Sequence, residues 1–283
     1  MKYQIMYNPL SCNGKGKEES AVLSEILKGN ELVWNDVTAI TDYDGFLDKL
    51  PDGDILLISG GDGTLSRFVN ILGDRTLTNR IDYFATGTGN DFMHDLGVEK
   101  GKIAEDIGKY LTGLPKVTVK GKTYRFFNGV GYGIDGYCCE VGDKMRAEGK
   151  TDINYAGIAI KGVLFNFKPI DADVTIDGVT THYKKVWLAP AMKGRYYGGG
   201  MMPTPDQDRN DPEKNVSVCV WWGSSKLKTL IVFSSIFKGE HLKHPEMCRA
   251  FKGRKIHVKF AKPCALQFDG ETILGVEEYT VEA

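Results

Sequence analysis

The run Gly60, Gly61, Asp62, Gly63, Thr64, Leu65, Ser66 sets three glycines, one carboxylate and two hydroxyls at the head of an apolar-periodic segment. Bare glycine backbone lets N–H groups approach an anion, and a helix N-terminus adds positive potential there. Asp62 would repel a naked phosphate, but it can hold Mg²⁺ or bond a ligand hydroxyl, and Thr64 can cap the helix. This chemistry suits a magnesium-bound nucleotide. A tight strand-to-helix turn with no ligand would use the same residues. A second loop, Gly87, Thr88, Gly89, Asn90 and Asp91, follows the run IDYFAT. A third, from Asn8 and Pro9 through Asn13 and Gly14, follows YQIMYN. Loops after neighbouring strands of a parallel sheet open on one crevice, so the three are expected to converge.

The elements that must position these loops alternate through residues 1–113. YQIMYN, LVWNDVT, DILLIS and IDYFAT read as strands, whereas EESAVLSEILKG, DGFLDKL, TLSRFVNILG and KIAEDIGKYLTG read as helices. That rhythm predicts a Rossmann-like α/β domain whose parallel sheet is covered on both faces. From residue 114 to 283 the texture changes to β-branched and aromatic alternation punctuated by Gly, Asp and Pro. It predicts a mostly antiparallel β-sandwich domain with helices near 137–148, 152–166 and 226–237, its last few residues free to return to the first domain.

At 283 residues, 42% hydrophobic and 26% charged, the chain is globular rather than disordered, and long enough for two domains. Between Lys226 and Lys262 stand ten Lys or Arg against two acids, a local +8 offset by −9 elsewhere. Such a bias marks either a surface that meets phosphates or acidic lipid headgroups, or a well-solvated set of strands and helix ends. The six cysteines have no CxxC spacing and no regular framework, which argues against zinc and against a disulfide scaffold; they read as reduced cytosolic thiols. His94, His241, His244 and His257 lack metal-ligand spacing and read as surface or packing residues. No signal-peptide core and no apolar run long enough to span a bilayer occurs, so a cytoplasmic protein is expected, at most peripheral on the inner face of the membrane. Gly131–Gly136 matches G-x-G-x-x-G but lies outside any βαβ unit, so it is not a dinucleotide site. Asp206–Asp211 fails as an EF-hand because its sixth position is Asp211 rather than glycine.

In their order along the chain, GGDGTLS (Gly60–Ser66), TGTGNDF (Thr86–Phe92), NGVGYGIDGYCCE (Asn128–Glu140), YYGGGMMPTP (Tyr196–Pro205) and QFDGET (Gln267–Thr272) resemble bacterial diacylglycerol kinases and related lipid kinases of the NAD kinase-like superfamily. The resemblance implies a two-domain kinase that uses ATP and Mg²⁺ and phosphorylates a lipid hydroxyl. Asn8, Pro9, Asn13, Gly14, Gly60 to Ser66, Gly87, Thr88, Asn90 and Asp91 fall on the family's nucleotide-binding segments, and Thr38 does so in competition with Thr41. Glu271 falls on the general base, with Asp62 organising Mg²⁺ and Asp269 beside the base as a third catalytic position. Read without the family, Asp269-Gly270 is simply a hairpin turn. Relatives carry P-x-A-x-x-x-D-G after the triple glycine to hold a structural Mg²⁺; this chain has Gln207 for the alanine and Pro212 for the glycine. The aligned ligands are Asp208, Asp211 and the backbone of Glu213, or the loop is a solvated acidic one.

The segment SKLKTLIVFSSIFKG brings Leu227, Leu230, Ile231 and Phe237 near one helical face between lysines, which suits either docking on an anionic membrane or burial in a core. Trp221 and Trp222 carry the same two readings. A membrane lipid substrate is expected and a nucleic acid is not, while a homodimer stays open. Two other readings stand beside the lipid kinase: a kinase for a soluble dinucleotide, which shares GGDGT, and a nucleotide-binding regulatory module without turnover.

Overall fold

The computed structural model describes residues 1–87, 90–150 and 153–283, and these form two compact units, Met1–Leu114 and Pro115–Ala283. In the first unit, β1 (Lys2–Tyr7), β2 (Glu31–Asp36), β3 (Ile55–Gly60), β4 (Ile81–Ala85) and β5 (Ile103–Ala104) form one sheet in the order β2-β1-β3-β4-β5. The first four pair in parallel, and β5 runs antiparallel to β4. Every residue of β3 is buried, as its unbroken ILLIS run requires for a central parallel strand. The following helix, Asp62–Leu72, buries Leu65, Phe68, Val69 and Leu72, the i, i+3, i+4, i+7 stripe of a helix lying on a sheet. Two expected helices differ. EESAVLSEILKG breaks into Gly16–Ala21 and Leu23–Ile26, and KIAEDIGKYLTG opens as β5 before a single turn at Gly108–Leu111.

The second unit is built on β6 (Lys116–Val119), β7 (Lys122–Arg125), β8 (Gly129–Tyr132), β9 (Ile170–Ile176), β10 (Val179–Leu188), β11 (Ala191–Met192), β12 (Val216–Trp222), β13 (Cys248–Gly253), β14 (Lys255–Phe268) and β15 (Glu271–Glu282). Its pairings are antiparallel. The long β14 pairs with β9 over Ile256–Phe260 and with β8 over Leu266–Phe268. Both ends of the run β8-β11-β12-β10-β9 therefore land on one strand, and the sandwich closes on itself as a barrel. Val130, Val174, Val218, Val258, Leu266 and Tyr279 belong to its buried core. The chain's last residues pair within the second unit. Glu282 pairs with Lys116 and Lys255, and Ala283 N–H donates to Arg254 O, because β15 needs both neighbours to satisfy its backbone.

Helices occupy Ile134–Ala147, Tyr155–Lys161 and Lys226–Phe233, the latter two continuing as a π turn at Gly162–Asn166 and a 3₁₀ turn at Ser234–Lys238. Gly136 explains the rejected G-x-G-x-x-G. A Cβ there would lie 1.9 Å from Ala265 O, so the glycine seats the Ile134–Ala147 helix on β14. Gly136→Ala is expected to cost about 2 kcal/mol through overpacking and to lower the calorimetric Tm. An unchanged Tm would show that this helix does not rest on β14 so closely.

Candidate active site

In the first unit the glycine loops leave the carboxyl ends of β1, β3 and β4 and are bonded to one another. Asn8 N–H donates to Ser59 O at 3.1 Å, and Thr86 N–H donates to Gly60 O at 3.0 Å. Asn8 Nδ2 donates to Thr64 Oγ1 at 2.8 Å, and Ser11 Oγ lies 3.0 Å from Thr86 Oγ1. The Asp62 carboxylate accepts the Asp91 N–H at 2.9 Å, joining the β3 loop to the β4 loop. Gly60 is required by close approach: a Cβ would stand 2.5 Å from the Thr64 side chain. Gly16 is required likewise, by the Asn8 carbonyl at 1.9 Å from its virtual Cβ.

Thr64 does not cap the helix as expected. Gly61 is the N-cap, and Thr64 spends its hydroxyl on Asn8. Leu65 faces the core, and its N–H is taken by Gly61 O, so neither side chain nor amide is offered to a ligand. Leu65 thus lies on the buried stripe of the helix. Gly61, Asp62 and Gly63 occupy the first turn, where helical geometry leaves N–H groups without intrahelical partners. Pro9 follows Asn8, and Cys12, Asn13 and Gly14 continue the first loop in left-handed conformation. Thr38 follows β2 in the turn beyond Asp36, with its hydroxyl and N–H both donated to Asp36 Oδ1. Gly87 accepts from Asn90 Nδ2 through its carbonyl, and Thr88 lies outside the described residues.

These residues fit a phosphate ligand carrying a divalent ion. Ser66 Oγ and Asn90 Oδ1 are buried without a partner among the described residues, and open space stands where a Gly63 Cβ would project. Burial, and after it the charge of Asp62, holds the Tyr83 phenol well above its ordinary range, so Tyr83 stays a neutral donor to Gly60 O.

In the second unit, β14 and β15 turn through Asp269 and Gly270, both at positive φ (44° and 95°), with Phe268 paired to Glu271. This is the two-residue Asp-Gly hairpin read from sequence, and it presents Glu271 to solvent directly after the turn. Asp269 has another task. Its carboxylate accepts the N–H groups of Phe127, Asn128 and Gly129 at 2.7, 3.0 and 3.0 Å. A buried carboxylate that accepts three amides anchors the NGVG segment to the turn.

A family model described as the diacylglycerol kinase catalytic domain matches residues 2–121, and one described as the YegS C-terminal NAD kinase beta sandwich-like domain matches residues 128–281. The chain belongs to the diacylglycerol kinase family. It is similar to a diacylglycerol kinase of Mycobacterium tuberculosis, 25% identical over 73% of this chain and 67% of that one. It is similar also to a diacylglycerol kinase of Staphylococcus carnosus, 24% identical over 95% and 88%. A crystal structure described as a diacylglycerol kinase from Bacillus anthracis shares the fold, with TM-score 0.60 at 16% identity over 99% of this chain and 92% of that one.

The acidic loop is closed by its own side chains. Gln207, buried, donates through Nε2 to Asp208 O and Asn215 O and accepts from Ser217 Oγ, closing the loop with protein groups. Asp208 accepts from Asn210 N–H, Asp211 from Glu213 N–H, and Asn215 donates to both Asp211 and Glu213. Local Asx turns thus occupy one carboxylate oxygen each of Asp208 and Asp211.

Three residues escaped sequence reasoning. Asp135, inside the rejected glycine motif, is buried near Tyr197, and burial pushes its carboxyl up from 3.8 to about 6. Arg209 donates to Phe127 O and to Asn128 Oδ1, holding the same segment as Asp269. Lys193 is buried, and desolvation followed by the Arg209 charge lowers its pKa. Neither Arg209 nor Lys193 occupies a specified position of a recognised motif, and the buried or half-buried setting of all three is visible only in the structure.

Asp269→Asn is expected to cost about 3 kcal/mol, since the amide would set its NH₂ against a backbone donor. Its readouts are the urea midpoint and faster hydrogen exchange at Phe127–Gly129. Asp135 favours its neutral form on folding. Its contribution is therefore full below pH 4 and is lost as pH rises through about 6. Urea midpoints from pH 4 to 7 should fall less steeply for Asp135→Asn than for the parent.

Proposed function

We propose that the protein is an ATP-dependent lipid kinase that transfers the γ-phosphoryl group to a hydroxyl of diacylglycerol or a related lipid. The observation that carries this reading is the welded set of loops at the carboxyl edge of β1, β3 and β4, where Asp62 and Asn8 hold the glycine turns together. Main-chain donors fixed in advance stabilise a triphosphate without reorganising when charge shifts during transfer. A Mg²⁺ ion held at Asp62 would supply charge neutralisation of the β- and γ-oxygens. Glu271 accepts the proton of the lipid hydroxyl as that oxygen bonds to the γ-phosphorus and the bond to the β-bridging oxygen breaks, releasing ADP. The turn at Asp269-Gly270, locked through Asp269, keeps Glu271 at the tip of a rigid hairpin.

A lipid acceptor also requires an approach to a bilayer. No helix among the described residues is long and apolar enough to cross one. Leu227 and Ile231, four residues apart on the Lys226–Phe233 helix, are 69% and 68% exposed, and Phe165 is 73% exposed. Lys226 Nζ donates to Leu164 O, binding the two segments together. Leu230 packs inward and Trp221 is fully buried, so both belong to the core rather than to this face. We infer that Leu227, Ile231 and Phe165, with Lys226 and Lys228 beside them, rest on an anionic membrane surface.

With labelled ATP, mixed lipid vesicles and NAD in one reaction, label should enter the organic-soluble product. Label in a water-soluble dinucleotide would overturn the lipid reading. Glu271→Gln should lower kcat by about 10²–10⁴ while leaving nucleotide binding intact by calorimetry. Leu227→Ser with Ile231→Ser should raise the KM for vesicle-borne lipid several-fold with little change in kcat, measured against vesicles with and without anionic lipid.

A further inference from the structure

Three residues far apart in sequence meet in the interior of the second unit. Cys219 lies on β12, Cys248 begins β13, and His241 sits on a 3₁₀ turn at Glu240–Lys243. The Cys219 Sγ is 3.6 Å from Cys248 Sγ and 3.8 Å from His241 Nε2, and the three donor atoms lie within 4.8 Å of one another. All three residues are 0% exposed. His241, expected at the surface or in simple packing, is one of the three members, and Cys219 contacts both of the others.

A tetrahedral ion with metal–sulfur bonds near 2.3 Å and a metal–nitrogen bond near 2.0–2.1 Å sets its sulfurs about 3.8 Å apart, and sulfur about 3.5 Å from nitrogen. The observed spacings fall within a few tenths of an ångström of both. The surroundings are apolar: the Trp221 ring stacks on the imidazole at 6.1 Å and 9°, and Ile236 and Met247 belong to the same core cluster. In such a place a lone thiolate is costly, whereas two thiolates and a neutral imidazole around a divalent ion sum to zero charge. The Pro203 carbonyl oxygen, 3.0 Å from His241 Nε2, is near enough to serve as a fourth donor. His241 Nδ1 has no partner among the described residues, so it can carry the ring proton when Nε2 turns to a metal.

We propose that Cys219, His241 and Cys248, completed by the Pro203 carbonyl, form a buried structural site for a thiophilic divalent cation of the zinc class. The ion would staple β12 and β13 to the turn that follows the Lys226–Lys238 segment, and to the loop after the triple glycine. It would thus brace the base of the segment that exposes Leu227 and Ile231. Thiolate ligation needs both cysteines reduced.

The test uses the full chain, reduced and freed of metal by a chelator, then refolded with Co²⁺ or Zn²⁺ alone. Expected are one equivalent of Co²⁺ per chain, thiolate-to-cobalt charge transfer in the near ultraviolet, and the strong visible bands of a tetrahedral ion. Zinc should slow the reaction of two of the six thiols with a disulfide reagent and raise the Tm. Cys219→Ser with Cys248→Ser should abolish the charge-transfer band. Should that variant fail to fold, thiol protection in the parent decides instead. A cobalt spectrum without charge transfer, six thiols equally reactive with and without zinc, or a Cys219–Cys248 disulfide found by mass spectrometry would each overturn the proposal.

Discussion

A carboxylate that accepts main-chain N–H groups from a distant segment is the joint on which each half of this molecule depends. In the first unit Asp62 takes the Asp91 amide, and in the second Asp269 takes the amides of Phe127, Asn128 and Gly129. Hydrogen bonds to an ionised acceptor are about twice as strong as neutral ones, and burial makes them stronger still. Each therefore fixes a loop that glycine composition would otherwise leave loose. The conformational freedom that lets backbone approach a phosphate is the same freedom that must be removed before the approach is productive.

How far the sequence disclosed this depends on the range of the interactions involved. The ILLIS run, the Leu65-Phe68-Val69-Leu72 stripe and the Asp-Gly turn are local patterns, and each appears in the structure as read. The two-residue β5 was read as helix because KIAEDIGKYL has helical spacing, yet its start completes the edge of β4. Tertiary pairing there outweighs a weak local preference. Leu65, expected at the ligand from its position in a motif, lies on the buried stripe of its helix.

The residues the sequence hid are those whose partners come from other strands. Asp269 reads as half of a turn, and only the closed barrel brings the NGVG amides to its carboxylate. Cys219, His241 and Cys248 have no metal-binding spacing because three separate elements deliver them, so the sequence rule that argued against zinc had nothing to register. The acidic loop shows the converse. Its composition suggests a cation site or a solvated loop, and the structure adds that Gln207 and Asn215 donate to oxygens of the loop from within it.

The irregular stretch of β14 between Lys259 and Cys264, where the strand changes neighbours, gives the barrel an adjustable joint. Side chains along a strand alternate in direction, so one residue gained or lost in that stretch would flip everything beyond it, including the tip that bears Glu271, and leave Lys255–Lys259 in place. Evolution could in this way re-aim Glu271 without rebuilding the scaffold that carries it.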